Sequence, residues 1–181
     1  MTDMSRDEKK KKVLDVLNKA RSMELFAIHQ YMNQHYNLAD MDYGDLAAKV
    51  KLIAIDEMRH AEMFAERIKE LSGEPTTAMD GKVQKAQKID AVFPFNSKLE
   101  DDTIDAYNQF HQVCRESGDS ISMKLFETIT DQEQIHFNYF DNVGDHIKTL
   151  GASYLAQIAG TPADTGAPSK GFVTGPGGGA A

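Results

Sequence analysis

Apolar residues recur at alternating steps of three and four along four separate stretches of the chain. That spacing is the signature of amphipathic helices burying one stripe each. The first stripe reads Val13, Leu17, Ala20, Glu24, Ala27, Tyr31, and the second Leu46, Val50, Ile53, Glu57, His60, Phe64. The third reads Glu100, Ile104, Tyr107, His111, Cys114, and the fourth Phe126, Ile129, Glu133, His136, Phe140, Val143, Ile147. The pattern predicts helices over about residues 6–36, 43–71, 98–117 and 120–150. Ser5-x-x-Glu8 reads as a capping box opening the first. Ser72-Gly73, with Pro75 beyond, closes the second, and Gly118-Asp119 parts the third from the fourth. Gly151 interrupts the pattern, and residues 152–159 are expected to form a short fifth helix. Residues 37–41 make a short connection, whereas residues 73–96, carrying Pro75, Gly81 and Pro94, are too many for a tight helix hairpin. Short, long, short connections predict an all-α four-helix bundle with one long crossover. Residues 1–160 are expected to form this single domain. Residues 161–181, rich in Gly, Pro, Ala, Ser and Thr, are expected to be a flexible tail.

Bulk composition narrows the function. A chain of 181 residues is long enough for one sizeable core. A net charge of −8 argues against a nucleic-acid partner, which needs a basic surface, and suits a protein that attracts cations. The single cysteine, Cys114, excludes an internal disulfide framework and any multi-cysteine metal site. The sequence has no apolar run long enough to span a membrane, and residues 1–12 lack the apolar core of a secretory signal, so a cytoplasmic location is expected.

The polar interruptions of the stripes carry the chemistry. Glu57-x-x-His60 and Glu133-x-x-His136 each place a carboxylate and an imidazole on one face of a helix. Glu24 and Glu100 interrupt the other two stripes. Glutamate is almost never fully buried without a compensating partner, so four in one core need a common explanation. Their heights agree. Glu24 and Glu57 lie equally far either side of the first connection, and Glu100 and His136 equally far either side of Gly118. Four carboxylates and two neutral imidazoles are balanced by two divalent cations, and oxygen and nitrogen donors without thiolate suit iron, manganese or zinc. Bundles hold paired iron or manganese with this kind of donor set.

Other residues carry competing readings. Ser97-x-x-Glu100 is itself a capping box, which gives Glu100 a rival structural role. Asp105 matches the ligand height but lies off the third stripe, so Glu100 is preferred. Asp56, before Glu57, can reach His136 across the bundle and orient it, whereas the matching residue before Glu133 is Gln132, a weaker acceptor. The two metal positions are therefore expected to differ in basicity. Tyr31 and Tyr107 read as core aromatics with satisfied hydroxyls. His111 and Cys114 read as core or interface residues, His29, His35 and His146 as surface or packing residues, and Lys9–Lys12 as a solvated helix face.

Glu24 with Tyr31, Glu57-Met58-Arg59-His60, Glu100 and Glu133-x-x-His136 together resemble the bacterioferritin family over roughly residues 5–160. The local sequence Ala54-Ile55-Asp56-Glu57-Met58-Arg59-His60-Ala61-Glu62 is especially similar to members from sulfate-reducing bacteria. The resemblance implies a ferritin-like bundle, a hollow 24-subunit shell, oxidation of Fe(II) by dioxygen or peroxide, and storage of Fe(III) mineral inside. It implies Glu24, Glu57, His60, Glu100, Glu133 and His136 as di-iron ligands, Glu57 and Glu133 bridging, with Tyr31, Asp56 and Gln132 beside them.

It also gives Met58 a role. About 100° of helix rotation separates this residue from Glu57, so it faces away from the core, where an apolar surface contact is the plain reading. In bacterioferritins the matching methionine, one from each of two subunits, ligates a haem, or iron-coproporphyrin in members from sulfate reducers. Thioether ligation tends to raise the iron's potential. That porphyrin would pass electrons from a donor protein to stored iron. Some members carry a histidine five residues before the Glu57 position as part of an inner-surface iron site. Leu52 stands there in this chain and speaks against one. The alternatives are a rubrerythrin-like peroxidase, which usually carries four cysteines, a manganese catalase, and a non-enzymatic haem-binding bundle.

Overall fold

The computed structural model describes residues 5–165 and 171–173. Among them are five helices: α1 (Arg6–Asp40), α2 (Gly44–Glu70), α3 (Ile89–Ser117), α4 (Ser120–Leu150) and α5 (Ala152–Ile158). The described residues form no strand, only a single bridge between Tyr43 and Thr161. α1 packs chiefly on α2, and α3 on α4, as two antiparallel hairpins joined by the long crossover.

The ends of the helices show why the chain turns where it does. The Ser5 capping box forms as expected, Ser5 Oγ accepting from the Glu8 amide and the Glu8 carboxylate accepting from the Ser5 amide. α1, α2 and α3 all close through a left-handed residue and a six-to-one backbone bond: Tyr43 N to Leu38 O, Gly73 N to Ile68 O, and Asp119 N to Cys114 O. Gly118, at φ 76°, takes the left-handed position without strain. Asp42 and Ser72 hold the equivalent positions at φ 66° and 57°. α4 opens on Asp119, whose carboxylate accepts from the Ser122 amide at 3.0 Å and, through both oxygens, from Arg67 Nη2.

Two boundaries differ from the sequence expectation. α1 continues to Asp40, because Leu38 is fully buried and holds the last turn to the core. α3 begins at Ile89 rather than near residue 98, with Pro94 inside it. Proline so close to a helix start removes few bonds. Its cost is offset by burial of Val92 and Phe93 and by paired amide bonds between Asn96 and Gln34. Gln34 and Gln30 also bond Gln87, and Gln30 bonds the Gln84 backbone, which ties the crossover to α1.

The core has three levels. Tyr31, Leu38, Leu46, Ile53, Phe93, Phe140 and Val143 form one apolar cluster. Val13, Leu17, Phe64, Ile68, Tyr107, Cys114, Phe126 and Ile129 form another. Glu24, Glu57, His60, Glu100, Glu133 and His136 lie between them along all four helices and are buried.

The described part of the segment expected to be a flexible tail makes contacts with the bundle. Thr161 accepts from the Asp45 amide, and Phe172 is only 2% exposed against α2 and α4. One large apolar ring in a segment of mostly small residues found an apolar seat. The remainder of that expectation falls on residues 166–170 and 174–181, outside the described residues.

Candidate metal centre

α2 and α4 make few close backbone approaches, and the space between them is filled by His60 and His136, ring centroids 5.9 Å apart. Each imidazole points Nδ1 inward. His60 Nδ1 lies 3.0 Å from Glu57 Oε2 and from Glu133 Oε1, and 3.8 Å from Glu24 Oε1. His136 Nδ1 lies 3.1 Å from Glu57 Oε1 and from Glu133 Oε2. The outward nitrogens are held separately, His60 Nε2 by Gln132 Oε1 at 3.0 Å and His136 Nε2 by Asp56 Oδ2 at 3.4 Å. Gln132 Oε1 and the Asp56 carboxylate are acceptors, so each Nε2 carries the proton. Loss of the second proton, from Nδ1, gives a neutral ring whose lone pair faces the centre.

The flanking glutamates are held crosswise. Tyr31 on α1 donates its hydroxyl to Glu100 on α3, and Tyr107 on α3 donates to Glu24 on α1. Antiparallel helices bring such reciprocal pairs to one level. The structure therefore moves Tyr107 from a packing residue to a neighbour of the centre. Its spacing from Glu100 equals that of Tyr31 from Glu24, which was the available signal. Ser97 does not cap a helix: it lies inside α3 and donates to Asp141. Asp105 is exposed and away from the centre. His111 pairs with Glu127 at the surface, and Cys114 is a buried thiol pushed up to about 12 by burial.

Donor chemistry fits a pair of cations. Glu24, Glu57, His60 and Glu133 form one group, and Glu57, Glu100, Glu133 and His136 a second, each with ligand atoms within 4.8 Å of one another. Glu57 and Glu133 belong to both. Glu57 Oε1 and Glu133 Oε1 are buried without a hydrogen-bond partner, although an imidazole Nδ1 is close to each. Close but unbonded acceptors around a common point are what a cation would satisfy.

Without cations, protons must carry the balance. Burial, then Glu133 and Glu57, push the Glu24 carboxyl well above its ordinary range. Burial, then Glu57 and Glu133, do the same to Glu100. Burial opposes charge on the imidazoles, but Glu133 beside His60 and Glu57 beside His136 outweigh it and raise both. Burial likewise opposes ionisation of Glu133, yet the two imidazoles hold it low. Burial and the adjoining glutamates raise Tyr31 and Tyr107, which stay protonated donors.

The Ferritin-like domain family matches residues 14–150. Desulfovibrio desulfuricans bacterioferritin is 62% identical over 170 residues, covering 94% of this chain and 95% of that protein. This chain belongs to the bacterioferritin family. Mycobacterium tuberculosis bacterioferritin is 31% identical in its solved structure, with a TM-score of 0.77 over 81% of this chain and 93% of that one. The crystal structure of the Desulfovibrio desulfuricans bacterioferritin, described with its diiron site in different catalytic states, superposes with a TM-score of 0.90 at 61% identity, covering 94% of this chain and 100% of that one. The family makes the chain an iron-storage protein and a ferroxidase with a di-iron carboxylate site, acting on iron within an oligomeric shell.

Proposed function

We propose that two irons bind per chain through Glu24, Glu57, His60, Glu100, Glu133 and His136, with Glu57 and Glu133 bridging. The observation that carries this is the membership of those two glutamates in both ligand groups. Two irons held there would each supply one electron to dioxygen or peroxide. The chain's own contribution is to hold them. Glu57 and Glu133 would be shared between the two positions, an Nδ1 lone pair would complete each, and Tyr31 and Tyr107 bond Glu100 and Glu24. Asp56 and Gln132 fix the imidazole tautomers.

The bundle, residues 1–160, is the functional domain in this reading, and 24 copies form the shell of a cytoplasmic protein. No described helix is long and apolar enough to cross a membrane. Met58 stands 55% exposed on α2, so its thioether is open to a group bound outside the chain. It supports a haem or iron-coproporphyrin bound between two subunits, one thioether from each, which passes electrons from a donor protein to stored iron.

Anaerobic Fe(II) titration of porphyrin-bearing protein is expected to saturate at two ions per chain beyond the porphyrin iron. Saturation at one ion overturns the ligand set. Met58→Leu is expected to abolish the porphyrin visible bands while Fe(II) oxidation persists. Retained bands remove Met58 as the ligand. Particle mass tests the 24-subunit assembly.

A further inference from the structure

Among the described residues, Asp56 is the outer partner of the centre that is itself covered by a distant part of the chain. Its Oδ1 accepts from Arg59 Nη1 at 3.1 Å, and its Oδ2, which faces His136 Nε2, also accepts from the Val173 amide at 2.9 Å. Gly171 lies so close that a β-carbon there would fall 1.6 Å from Asp56 Oδ1, so any other residue would push the Asp56 and Arg59 side chains aside. Phe172 then covers the neighbouring surface. Its ring centroid is 6.2 Å from that of His136, edge to face, and 4.9 Å from that of Tyr139, with Lys49 Nζ 5.7 Å away. The ring is 2% exposed. His60 has no such cover from the described tail residues; its outer nitrogen is held by Gln132.

We propose that Gly171, Phe172 and Val173 are positioning residues for the di-iron centre. They clamp Asp56 against His136 and seal that side of the bundle, so that metal exchange at the His136 position is slower than it would be without them. The proposal rests on the di-iron reading above. Physically, a carboxylate with Arg59 on one oxygen and a peptide N–H on the other has little freedom to swing away from the imidazole. An apolar ring over the same spot excludes the water that would replace the ligand's partner. Outer partners of metal ligands commonly matter by one to two orders of magnitude, which sets the scale of the test.

Full-length assembled protein is loaded anaerobically with Co(II) and mixed with excess chelator, and loss of the visible d–d absorption is followed in time. Phe172→Ala and Gly171→Ala are each expected to release one of the two Co(II) about tenfold faster, while Phe172→Leu stays within about twofold of the parent. Adding Phe172→Ala to Asp56→Asn is expected to change release little further, because both remove the same link. Two outcomes overturn the inference while sparing the di-iron centre: two bound Co(II) with unchanged release in both tail variants, or equal acceleration of both ions. Fully additive effects of Phe172→Ala and Asp56→Asn remove Asp56 as the route and overturn it too. Failure of the parent protein to bind two Co(II) overturns the di-iron reading and this inference with it.

Discussion

The two halves of the centre are built alike on the inside and differently on the outside. Glu24 with His60 mirrors Glu100 with His136, each flanked by a tyrosine from the opposite hairpin and sharing Glu57 and Glu133. Behind the imidazoles the likeness ends. A neutral amide, Gln132, holds His60, whereas a carboxylate already engaged by Arg59 and the Val173 amide holds His136. Burial works against the Asp56 charge, but His136 and the Val173 amide keep its pKa low. An ionised acceptor makes a more basic imidazole than an amide does. Ligand type follows from helical period, while ligand strength is set by whatever lies one layer further out.

The comparison breaks completely if a shared ligand is removed. Glu133→Ala takes a donor from both positions, so the initial Fe(II) oxidation rate is expected to fall by more than the roughly 100-fold upper cost of an outer partner. Glu24→Ala is expected to spare the His136 position, so one Co(II) per chain still binds. Exchanging the outer partners sharpens the contrast. Asp56→Asn is expected to weaken one metal position by about tenfold and Gln132→Glu to tighten the other, read by Co(II) titration.

Protons couple to both halves. The imidazoles of the metal-free centre have raised pKa values, so they hold protons near neutrality, and a metal must displace them from Nδ1. Metal affinity should therefore rise with pH, by about tenfold per unit for each proton released, until those raised values are passed. Calorimetry in buffers of different ionisation enthalpy counts the protons.

Smaller effects are expected from the tyrosines. Tyr31→Phe and Tyr107→Phe each strip a donor from a buried glutamate and should cost the metal-free protein about 1–2 kcal/mol in denaturant unfolding, less when metal is bound. Asp119, far from the centre, is the control. Asp119→Ala loses a helix cap worth about 1 kcal/mol with unchanged metal release. Asp119 is held low: burial opposes this, but the Ser122 amide and Arg67 outweigh it. Its stabilisation is present above the unfolded carboxyl value and is lost as pH falls through the folded one.

Much of this was legible before folding. The stripes placed all six candidate ligands, and the Ser5 and Gly118 signals marked helix ends that the structure keeps. α4 runs from Ser120 to Leu150 as the periodicity predicts. The start of α3 was hidden, because Pro94 and Gly81 read as loop punctuation, and only contacts of Asn96, Val92 and Phe93 with distant helices override that preference. Tyr107 looked like packing until an antiparallel neighbour delivered Glu24 to its hydroxyl. Phe172 read as part of a tail rich in Gly, Pro and Ala, since nothing local says where one ring will find a seat.

The sequence by itself determined the helices, the level at which carboxylates and imidazoles interrupt them, and hence a pair of cation positions. These depend on spacing along one helix, which is a local property. Tertiary structure alone decided the crossed tyrosine bonds, the inward Nδ1 of both histidines, and the covering of Asp56 by Gly171, Phe172 and Val173. Those are contacts between residues far apart in the chain. Their geometry exists only once the hairpins have docked and water has been excluded between them.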